Sequence, residues 1–326
     1  MTKPYVYVTR KLPDEHLQEL RKHARVECWE KADEPVPRDV LLEKAASADA
    51  LLTMLSDRVD KELLENAPRL KAAANLAVGF DNIDVEACSK RGVAVCNTPD
   101  VLTEATADLG FALLMASARR VTEAERYIKD DKWTQWGPYM FAGADVYGAT
   151  LGIIGMGRIG EAVAARASGF RMKVGYHTRS RKQQAEQELG VVYREKEDLL
   201  RNSDFVVLTA PLTPETKHMI SREELAIMKP TAHLINIGRG PLVDEEALFD
   251  ALQHHELAGA GLDVFEDEPI RSSHPLLTLP QVTALPHIGS ATTSTRNEMI
   301  RLAARNIAGV LNGAGAVTQV NEPESP

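Results

Sequence analysis

The sequence predicts an α/β protein of two domains, each built on a parallel β-sheet, with a doubly wound sheet in the second domain. Short apolar runs alternate with stretches of helical periodicity along most of the 326 residues, as they do where helices connect parallel strands. A glycine-rich turn follows one of these runs and opens a helix-like stretch, which is typical of a doubly wound sheet. A chain of this length is sufficient for two separate hydrophobic cores.

The first hundred residues are predicted to form a complete small α/β unit. Predicted strands cover residues 5–9, 25–29, 50–54, 71–76 and 93–96, and predicted helices cover residues 13–23, 37–46, 61–66 and 84–90. This regular alternation of strands and helices indicates parallel strands joined by helices.

A helix and a loop follow this unit. Residues 102–130 are predicted to form one long helix, with Thr103 as its N-cap and Thr106 in its first turns. Residues 109–118 are apolar on nearly all sides, which predicts burial, with another subunit as one of the surfaces that could cover them. The loop at 131–149 is rich in aromatic residues, and we expect it to cover a neighbouring subunit or a pocket.

The strongest motif of the chain is a strand, a glycine-rich turn, a helix and a second strand within about 30 residues. Gly155 permits the tight turn, Gly157 lets the backbone approach a pyrophosphate, and Gly160 lets the helix pack close to the strand. The helix N-terminus offers N–H groups and a positive dipole end to the phosphates. A cluster of turn glycines is the alternative, but the flanking strand and helix favour a Rossmann-type dinucleotide site. The predicted cofactor contacts in this turn are Gly155, Met156, Gly157, Arg158, Ile159 and Gly160.

The residues after the second strand of this motif indicate which dinucleotide is bound. An NAD site usually has Asp or Glu there, whereas this chain has Thr178, Arg179, Ser180, Arg181 and Lys182. Guanidinium and hydroxyl groups suit a 2′-phosphate, and no carboxylate is present to repel one. The alternative is a solvated, basic start of the next helix. The pattern favours NADP(H), with NAD(H) possible. Because the first hundred residues carry no such fingerprint, we expect them to bind the substrate.

The rest of the second domain continues the same alternation. Further strands are predicted at residues 191–193, 204–208, 232–236, 258–262 and 282–284, with a helix at 244–254. Together with the two strands of the glycine motif, they predict a sheet of six or seven parallel strands. Residues 292–312 are predicted to form a closing helix, and residues 313–326 a frayed tail.

Charged residues follow three predicted strands of this domain, and ligands bind outside the carboxyl ends of such strands. Arg239 can form two parallel hydrogen bonds to a substrate carboxylate and polarise a carbonyl group. His287 can donate a proton near neutral pH, although a satisfied loop histidine is the alternative. A carboxylate beside the imidazole would fix its tautomer. The acidic residues at 263–268 could include such a partner or could form an acidic turn in solvent, and their spacing alone does not decide between the two. An arginine, a histidine and a carboxylate together suit hydride exchange on a 2-oxo acid.

Composition limits the classes of partner. The net charge of −9 argues against a general nucleic-acid or membrane-surface binder. The three cysteines, Cys28, Cys88 and Cys96, are widely spaced without a metal-binding pattern, so we expect reduced thiols and no metal. The N-terminus leads directly into a strand and predicts no signal peptide, and the most apolar window is too short to span a bilayer. A cytoplasmic protein is expected.

Five motifs together resemble the D-2-hydroxyacid dehydrogenase family over nearly the whole chain. They are AVGFDNID at 77–84, GIIGMGRIG at 152–160, NIGRGPLVD at 236–244, GLDVFEDEP at 261–269 and PHIGS at 286–290. Within the family the chain looks most like the glyoxylate/hydroxypyruvate reductases and the 2-ketogluconate reductases close to them. The resemblance implies reduction of a small 2-oxo acid to the D-2-hydroxy acid. Together with the basic residues at 178–182 it predicts an NADPH-dependent reductase, with an NAD-linked dehydrogenase as the alternative.

The resemblance also implies roles for individual residues. Arg239 would bind the substrate, Glu268 would be the partner of the histidine, and His287 would be the acid/base. The backbone amides of Val78 and Gly79 would hold the substrate carboxylate, with Leu55 and Ser290 nearby, and Asp263 would orient the nicotinamide carboxamide. Further expected cofactor contacts are Thr106, Pro211, Ile237, Gly238, Arg239, His287 and Gly289.

The family pattern also implies the domain organisation. Residues 101–287 would form the Rossmann domain, inserted in a smaller flavodoxin-like substrate domain made of 1–100 and 288–326. The loop at 131–142 would lie at a homodimer interface. A dinucleotide-sensing corepressor-like protein is the alternative from another class, because such proteins share this fold; it would require long disordered flanks, which the sequence lacks.

Overall fold

The computed structural model describes residues 3–324, which divide into two compact units. The first unit consists of residues 3–102 with 291–324, and the second is Thr103–Ser290. The boundaries predicted from the sequence, after residues 100 and 287, lie two and three residues before those of the two units.

The first unit contains a five-stranded parallel sheet in the order β2-β1-β3-β4-β5. Its strands are β1 (Tyr5–Val8), β2 (Arg25–Cys28), β3 (Ala50–Thr53), β4 (Ala72–Asn75) and β5 (Ala94–Cys96). Its helices are α1 (Asp14–His23), α2 (Arg38–Ala45), α3 (Lys61–Asn66), α4 (Val85–Lys90) and α12 (Thr293–Leu311). The central strands β1, β3 and β4 are fully buried, because α12 covers β3 and β4 on one side and an apolar cluster covers the other.

The second unit contains a seven-stranded parallel sheet in the order β12-β11-β10-β9-β6-β7-β8, so the predicted doubly wound sheet is confirmed. Its strands are β6 (Thr150–Ile154), β7 (Lys173–His177), β8 (Val192–Tyr193), β9 (Phe205–Leu208), β10 (His233–Asn236), β11 (Gly259–Leu262) and β12 (Val282–Ala284). Its helices are α5 (Thr103–Ala118), α6 (Val121–Lys129), α7 (Arg158–Ser168), α8 (Gln183–Leu189), α9 (Lys196–Asn202), α10 (Arg222–Ile227) and α11 (Glu245–Gln253).

Alternate residues of the central strand β9 enter different hydrophobic clusters, which shows that both faces of the second sheet are covered. Val206 and Leu208 belong to the cluster beneath α10 and α11, whereas Phe205 and Val207 belong to the cluster beneath α5 and α7. Chain order reverses between β6 and β9, which are neighbours in the sheet. Ligands of such sheets bind at this switch point.

The single long helix predicted at 102–130 is wrong, because the chain forms two helices that break at residues 119–120. Arg120 has a left-handed backbone with φ of +52°, which a continuous α-helix does not accept. The carbonyl oxygen of Ala118 accepts a hydrogen bond from the N–H of Ala144 at 2.9 Å, and the backbone of Gly143 packs against the same helix end. Neither Gly nor Pro marks the break, so periodicity alone did not reveal it.

The frayed tail predicted at 313–326 is also wrong as far as residue 324, and residues 325–326 lie outside the described part of the chain. The tail runs antiparallel to β5, with a bridge between Gln319 and Cys96. The N–H of Val320 donates to the carbonyl oxygen of Val95 at 2.9 Å. The side chain of Asn321 accepts a hydrogen bond from the N–H of Val95 at 2.8 Å. These bonds extend the edge of the first sheet and hold the tail in place.

Other sequence expectations concern thiols, metals and membranes. The three cysteines are free thiols, and burial raises the pKa of Cys88 and Cys96 to about 12, so both stay protonated and unreactive. Within residues 3–324, no group of three or more His, Cys, Asp or Glu side chains is arranged to hold a metal ion. No helix in that part of the chain is long and apolar enough to cross a bilayer.

Burial of His233 makes the folded state less stable as the pH falls. Its imidazole is buried, stacks on Phe205 and lies 2.9 Å from Ser117 Oγ, and burial lowers its pKa from 6.5 to about 4. The unfolded chain therefore binds this proton below pH 6.5, whereas the folded protein binds it only below about pH 4. We expect the free energy of unfolding to lose about 3 kcal/mol through this group between those pH values.

Urea unfolding at several pH values measures this loss. His233→Gln should flatten the decline between pH 6.5 and 4, whereas His254→Gln, at an exposed position, should leave it unchanged. An equal slope in the wild type and His233→Gln would contradict the assignment.

Candidate active site

The glycine-rich turn joins β6 to α7, and the space around its three glycines differs. Gly155 has φ of +103°, and a Cβ there would lie 2.5 Å from the backbone nitrogen of Ala210. A Cβ on Gly160 would lie 2.2 Å from the carbonyl oxygen of Gly155. A Cβ on Gly157 would meet nothing within 4 Å. The backbone at Gly157 is therefore open to a ligand, while the other two glycines allow the turn and the close helix packing.

The start of α7 fits the pyrophosphate of a dinucleotide. Gly157 is the N-cap of this helix, and no side chain caps its first N–H groups. Arg158 is exposed and Ile159 is half-buried, whereas the side chain of Met156 is buried in the core, so only its backbone faces the turn. An uncapped helix N-terminus beside an open glycine is a suitable site for phosphate.

The basic cluster after β7 is held by a hydrogen-bond network that sequence reasoning missed. Arg181 donates to both carboxylate oxygens of Glu186, on α8, at 2.7 and 2.8 Å. The hydroxyl of Tyr176 donates to the same carboxylate at 2.7 Å and accepts a hydrogen bond from the N–H of Lys182 at 2.7 Å. The hydrogen bonds from Arg181 and Tyr176 hold the pKa of Glu186 below its usual value. One edge of the Arg181 guanidinium is therefore engaged, while Arg179 is exposed.

His287 and Glu268 are brought together by the turn that follows β11. The Nδ1 atom of His287 lies 2.7 Å from Oε2 of Glu268, and the N–H of Phe265 donates to Oε1 of the same carboxylate at 3.0 Å. Burial raises the pKa of Glu268. Three other effects outweigh it and lower the pKa overall: the hydrogen bond and charge of His287, the hydrogen bond from the Phe265 N–H, and the charge of Arg239. The carboxylate stays ionised and accepts the hydrogen of Nδ1, and Nε2 is the ring nitrogen that faces away from Glu268.

The distances show which acidic residue of this turn lies beside His287, a choice that spacing in the sequence left open. Glu266 lies beside another histidine, with Oε1 at 2.8 Å from Nε2 of His218. Its backbone N–H donates to Oε1 of Glu245 at 2.8 Å, so Glu245 holds the turn that carries Glu268. Glu245 is a further residue that sequence reasoning missed, because it lies about twenty residues before the turn on another element.

Asp263 fixes the backbone at His287. Its two carboxylate oxygens accept the N–H groups of Ile288 and Gly289, each at 2.8 Å, and its carbonyl oxygen accepts the N–H of His287 at 2.8 Å. Burial raises the pKa of Asp263 in spite of these bonds. His287 has φ of +54°, a conformation that costs energy outside glycine and asparagine. The Asp263 carboxylate offsets this cost and keeps the imidazole in one position.

Arg239 follows β10 in a turn held by Asn236. The Asn236 amide donates to the carbonyl oxygen of Arg239 at 2.9 Å, and its Oδ1 accepts the N–H of Gly238 at 3.1 Å. A Cβ on Gly240 would lie 1.8 Å from the carbonyl carbon of Phe265. The turn of Arg239 is therefore in direct contact with the turn that carries Glu268, and only glycine fits at the contact.

The remaining predicted cofactor residues surround these turns within the second unit. Thr106 is buried on α5, and a Cβ on Gly289 would lie 3.3 Å from its methyl group. Ile237 is buried and Gly238 half-buried after β10, and Pro211 is exposed after β9. Thr178 is half-buried and Ser180 is exposed. Pro211, Ile237, Gly238, Thr178 and Ser180 follow the carboxyl ends of strands, and Thr106 lies beside Gly289.

The substrate residues expected in the first unit lie in two adjacent loops. Leu55 follows β3, Val78 and Gly79 follow β4, and all three are half-buried. Because β3 and β4 are neighbouring parallel strands, their loops emerge at the same edge of the first sheet. Ser290, the last residue of the second unit, is half-buried.

A family model for the NAD-binding domain of D-isomer specific 2-hydroxyacid dehydrogenases matches residues 111–289, which is more than half of the chain. The chain belongs to this family. The dehydrogenase thus has the two parallel α/β units, the glycine-rich turn and the oxidoreductase chemistry that the sequence motifs predicted.

Similar proteins are known over the full length of the dehydrogenase. A glyoxylate reductase of Thermococcus gammatolerans is 52% identical, and the alignment covers 98% of this chain and 96% of the relative. A solved protein of Thermus thermophilus has a TM-score of 0.90 at 45% identity and covers 97% of this chain and 100% of its own. An NADPH-dependent glyoxylate/hydroxypyruvate reductase of Sinorhizobium meliloti, solved with NADP and malonate, has a TM-score of 0.86 at 34% identity over 98% of each chain.

Proposed function

We propose that this dehydrogenase is an NADPH-dependent reductase of small 2-oxo acids, with glyoxylate as the first candidate substrate and hydroxypyruvate and 2-ketogluconate as the others. The observation that carries the proposal is the 2.7 Å bond between His287 and Glu268, beside the turn of Arg239 at the carboxyl edge of the second sheet. The relative that is 52% identical is a glyoxylate reductase, which favours the smallest of these acids.

His287, Glu268 and Arg239 have separate roles in this reaction. His287, held by Glu268, donates its Nε2 proton to the carbonyl oxygen of the substrate as that oxygen becomes an alkoxide. Arg239 binds the substrate carboxylate and polarises the carbonyl group. The chemistry that a reduced nicotinamide would supply here, when bound, is a hydride for C2 of the substrate. The proton and the hydride together convert the 2-oxo acid to the 2-hydroxy acid, which has the D configuration when C2 becomes a stereocentre.

The first unit supplies the other proposed substrate contacts. The N–H groups of Val78 and Gly79 bind the carboxylate, and Leu55 limits the space for the rest of the substrate. Ser290 is the corresponding contact from the end of the second unit. Thr106, Pro211, Ile237, Gly238, Asp263 and Gly289 remain the proposed cofactor contacts beyond the glycine-rich turn.

Cofactor preference depends in this proposal on the basic cluster. Arg179 is exposed and binds the 2′-phosphate with Thr178 and Ser180. Arg181 contributes the guanidinium N–H groups that do not bind Glu186. The carboxylate of Glu186 partly neutralises Arg181, which favours NADH as a usable second cofactor. We therefore expect a preference for NADPH that Arg179 dominates.

Arg179→Ala should raise the KM for NADPH about tenfold and Arg181→Ala by less, because a charge-assisted hydrogen bond contributes about 1.5–3 kcal/mol. The KM for NADH should stay within about twofold in both variants, since NADH lacks the 2′-phosphate. Arg194→Ala removes an exposed arginine that pairs with Asp198 and serves as the matched control. Equal changes with both cofactors would exclude the cluster as the 2′-phosphate site.

The family pattern also supports a homodimer. The aromatic loop exposes Trp136 by 75% and Tyr139 by 86% in the single chain, and these side chains are the proposed interface. Sedimentation of the purified protein, with Trp136→Ser as a comparison, measures its oligomeric state.

The proposed function is tested by steady-state assays of the wild type with NADPH and NADH against glyoxylate, hydroxypyruvate and 2-ketogluconate. We expect kcat/KM to be highest with NADPH and glyoxylate. Absence of turnover with every 2-oxo acid would contradict the proposal.

A further inference from the structure

Two loops at the carboxyl edge of the first sheet are joined by a pair of asparagine side chains. The loop at 54–57 follows β3, and the loop at 76–82 follows β4. Thr53 and Asn75, the last residues of these strands, are partners in the parallel register. The two loops therefore start side by side, and their relative position depends on what connects them further along.

Asn75 is fully buried and reaches from the end of β4 into its own loop. Its Nδ2 donates to the carbonyl oxygen of Gly79 at 2.8 Å and to Oδ1 of Asn82 at 2.9 Å. Its Oδ1 accepts a hydrogen bond from the hydroxyl of Thr53 at 3.1 Å. Because the amide of Asn75 has partners on both sides, its orientation and that of the loop are fixed together.

Asn82 continues the connection to the neighbouring loop. Its Nδ2 donates to the carbonyl oxygen of Met54 at 3.1 Å and to that of Asp57 at 2.8 Å. Asp57 closes the same loop, since its Oδ2 accepts the N–H of Met54 at 2.8 Å and the hydroxyl of Thr9. The side chain of Asn82 thus holds the first and last residues of the loop that carries Leu55.

The carbonyl groups of Val78 and Gly79, in the second loop, both accept hydrogen bonds from side chains of the first unit. The Gly79 oxygen accepts from Asn75, and the Val78 oxygen accepts from Nδ2 of Asn97 at 2.8 Å. The N–H groups of Val78 and Gly79, in contrast, have no hydrogen-bond partner within residues 3–324. Successive backbone N–H groups that no protein group engages can bind an anion.

We propose that Asn75 and Asn82 are positioning residues for the substrate carboxylate. They hold the Val78–Gly79 backbone with its carbonyl groups inward and its N–H groups free, and they fix the Leu55 loop beside it. Neither asparagine touches the substrate. The inference rests on the proposed function, because it takes a 2-oxo acid as the ligand of these N–H groups.

The role predicts an effect confined to substrates that carry a carboxylate. Loss of the Asn82 side chain frees both loops, so the two N–H groups no longer converge on one position. We expect Asn82→Ala to raise the KM for glyoxylate about ten- to hundredfold, because displacement by about 1 Å has effects of this size. Reduction of glycolaldehyde, which lacks the carboxylate, should change by less than about twofold in kcat/KM, since those N–H groups do not bind it.

Asn82→Asp is the second variant, because it keeps the size of the side chain and removes its donors. Its carboxylate would face the carbonyl oxygens of Met54 and Asp57 and should raise the same KM. Asn321→Ala is the matched control. Its side chain also makes three hydrogen bonds in the first unit, to Val95, Ser89 and Val93, but contacts neither loop. The melting temperature of each variant reports its effect on stability.

We expect both Asn82 variants to lose selectivity for glyoxylate over glycolaldehyde, whereas Asn321→Ala should change only the melting temperature. An unchanged KM for glyoxylate in the Asn82 variants of an active protein, or an equal loss with both substrates, would overturn the positioning role and leave the proposed function standing. A wild type that reduces no 2-oxo acid would overturn both.

Discussion

His287→Asn should lower kcat for glyoxylate by about 10²- to 10⁴-fold, the usual contribution of a positioned general acid. Asparagine is the suitable replacement because it tolerates the left-handed backbone of this residue, so the loop keeps its conformation. The KM for NADPH should change by less than about twofold, since the glycine-rich turn and the basic cluster are untouched. Steady-state kinetics at saturating cofactor measures both quantities.

Glu268→Gln is the companion variant. The amide keeps the size of the side chain but removes the charge that holds Nδ1 of His287, so kcat should fall by less than in His287→Asn. His274→Gln changes another half-exposed histidine of the second unit, which lies beside Glu245, and should keep most of its activity. Near-normal turnover in His287→Asn would remove this histidine from the mechanism.

Arg239→Gln should lower kcat/KM for glyoxylate by about 10³-fold, because two charge-assisted hydrogen bonds to a carboxylate contribute about 1.5–3 kcal/mol each. Arg239→Lys should recover only part of this loss, since an ammonium group binds as a point charge and does not match the two oxygens. The effect should be visible in kcat as well as KM, because the arginine also polarises the carbonyl group. Kinetics with glyoxylate at fixed NADPH measures it.

Arg271→Gln is a matched control, because Arg271 is an exposed arginine of the same unit that lies three residues after Glu268. It should retain wild-type kinetics. Full activity in Arg239→Lys would show that a single positive charge is sufficient and that Arg239 makes no bidentate contact with the substrate carboxylate.

The two sheets were predictable from the sequence because buried parallel strands are short apolar runs, and the runs at 50–53 and 205–208 show this directly. The glycine-rich turn was predictable because steric demands permit only glycine at Gly155 and Gly160. Arg239 and His287 were selected as candidates by the rule that ligands bind beyond the carboxyl ends of strands. In each case the signal lies within a few neighbouring residues.

The features that the sequence did not reveal depend on contacts between distant segments. Spacing did not separate Glu266 from Glu268, because the difference lies in which histidine each one meets, and His218 is far from both in the chain. The break at Arg120 depends on Gly143 and Ala144 packing against the helix end. The tail is held by β5, and Arg181 by Glu186 on the next helix. No local pattern encodes these pairings.

The most direct measurement of the proposed reaction is the transfer of deuterium from NADPH labelled at C4 of its nicotinamide ring, with glyoxylate as substrate and the product analysed by mass spectrometry and NMR. We expect one deuterium at C2 of glycolate when the label is on the transferred face, and none when it is on the other. Product without deuterium from either labelled cofactor, or no product at all, would contradict hydride transfer to a 2-oxo acid as the function of this site.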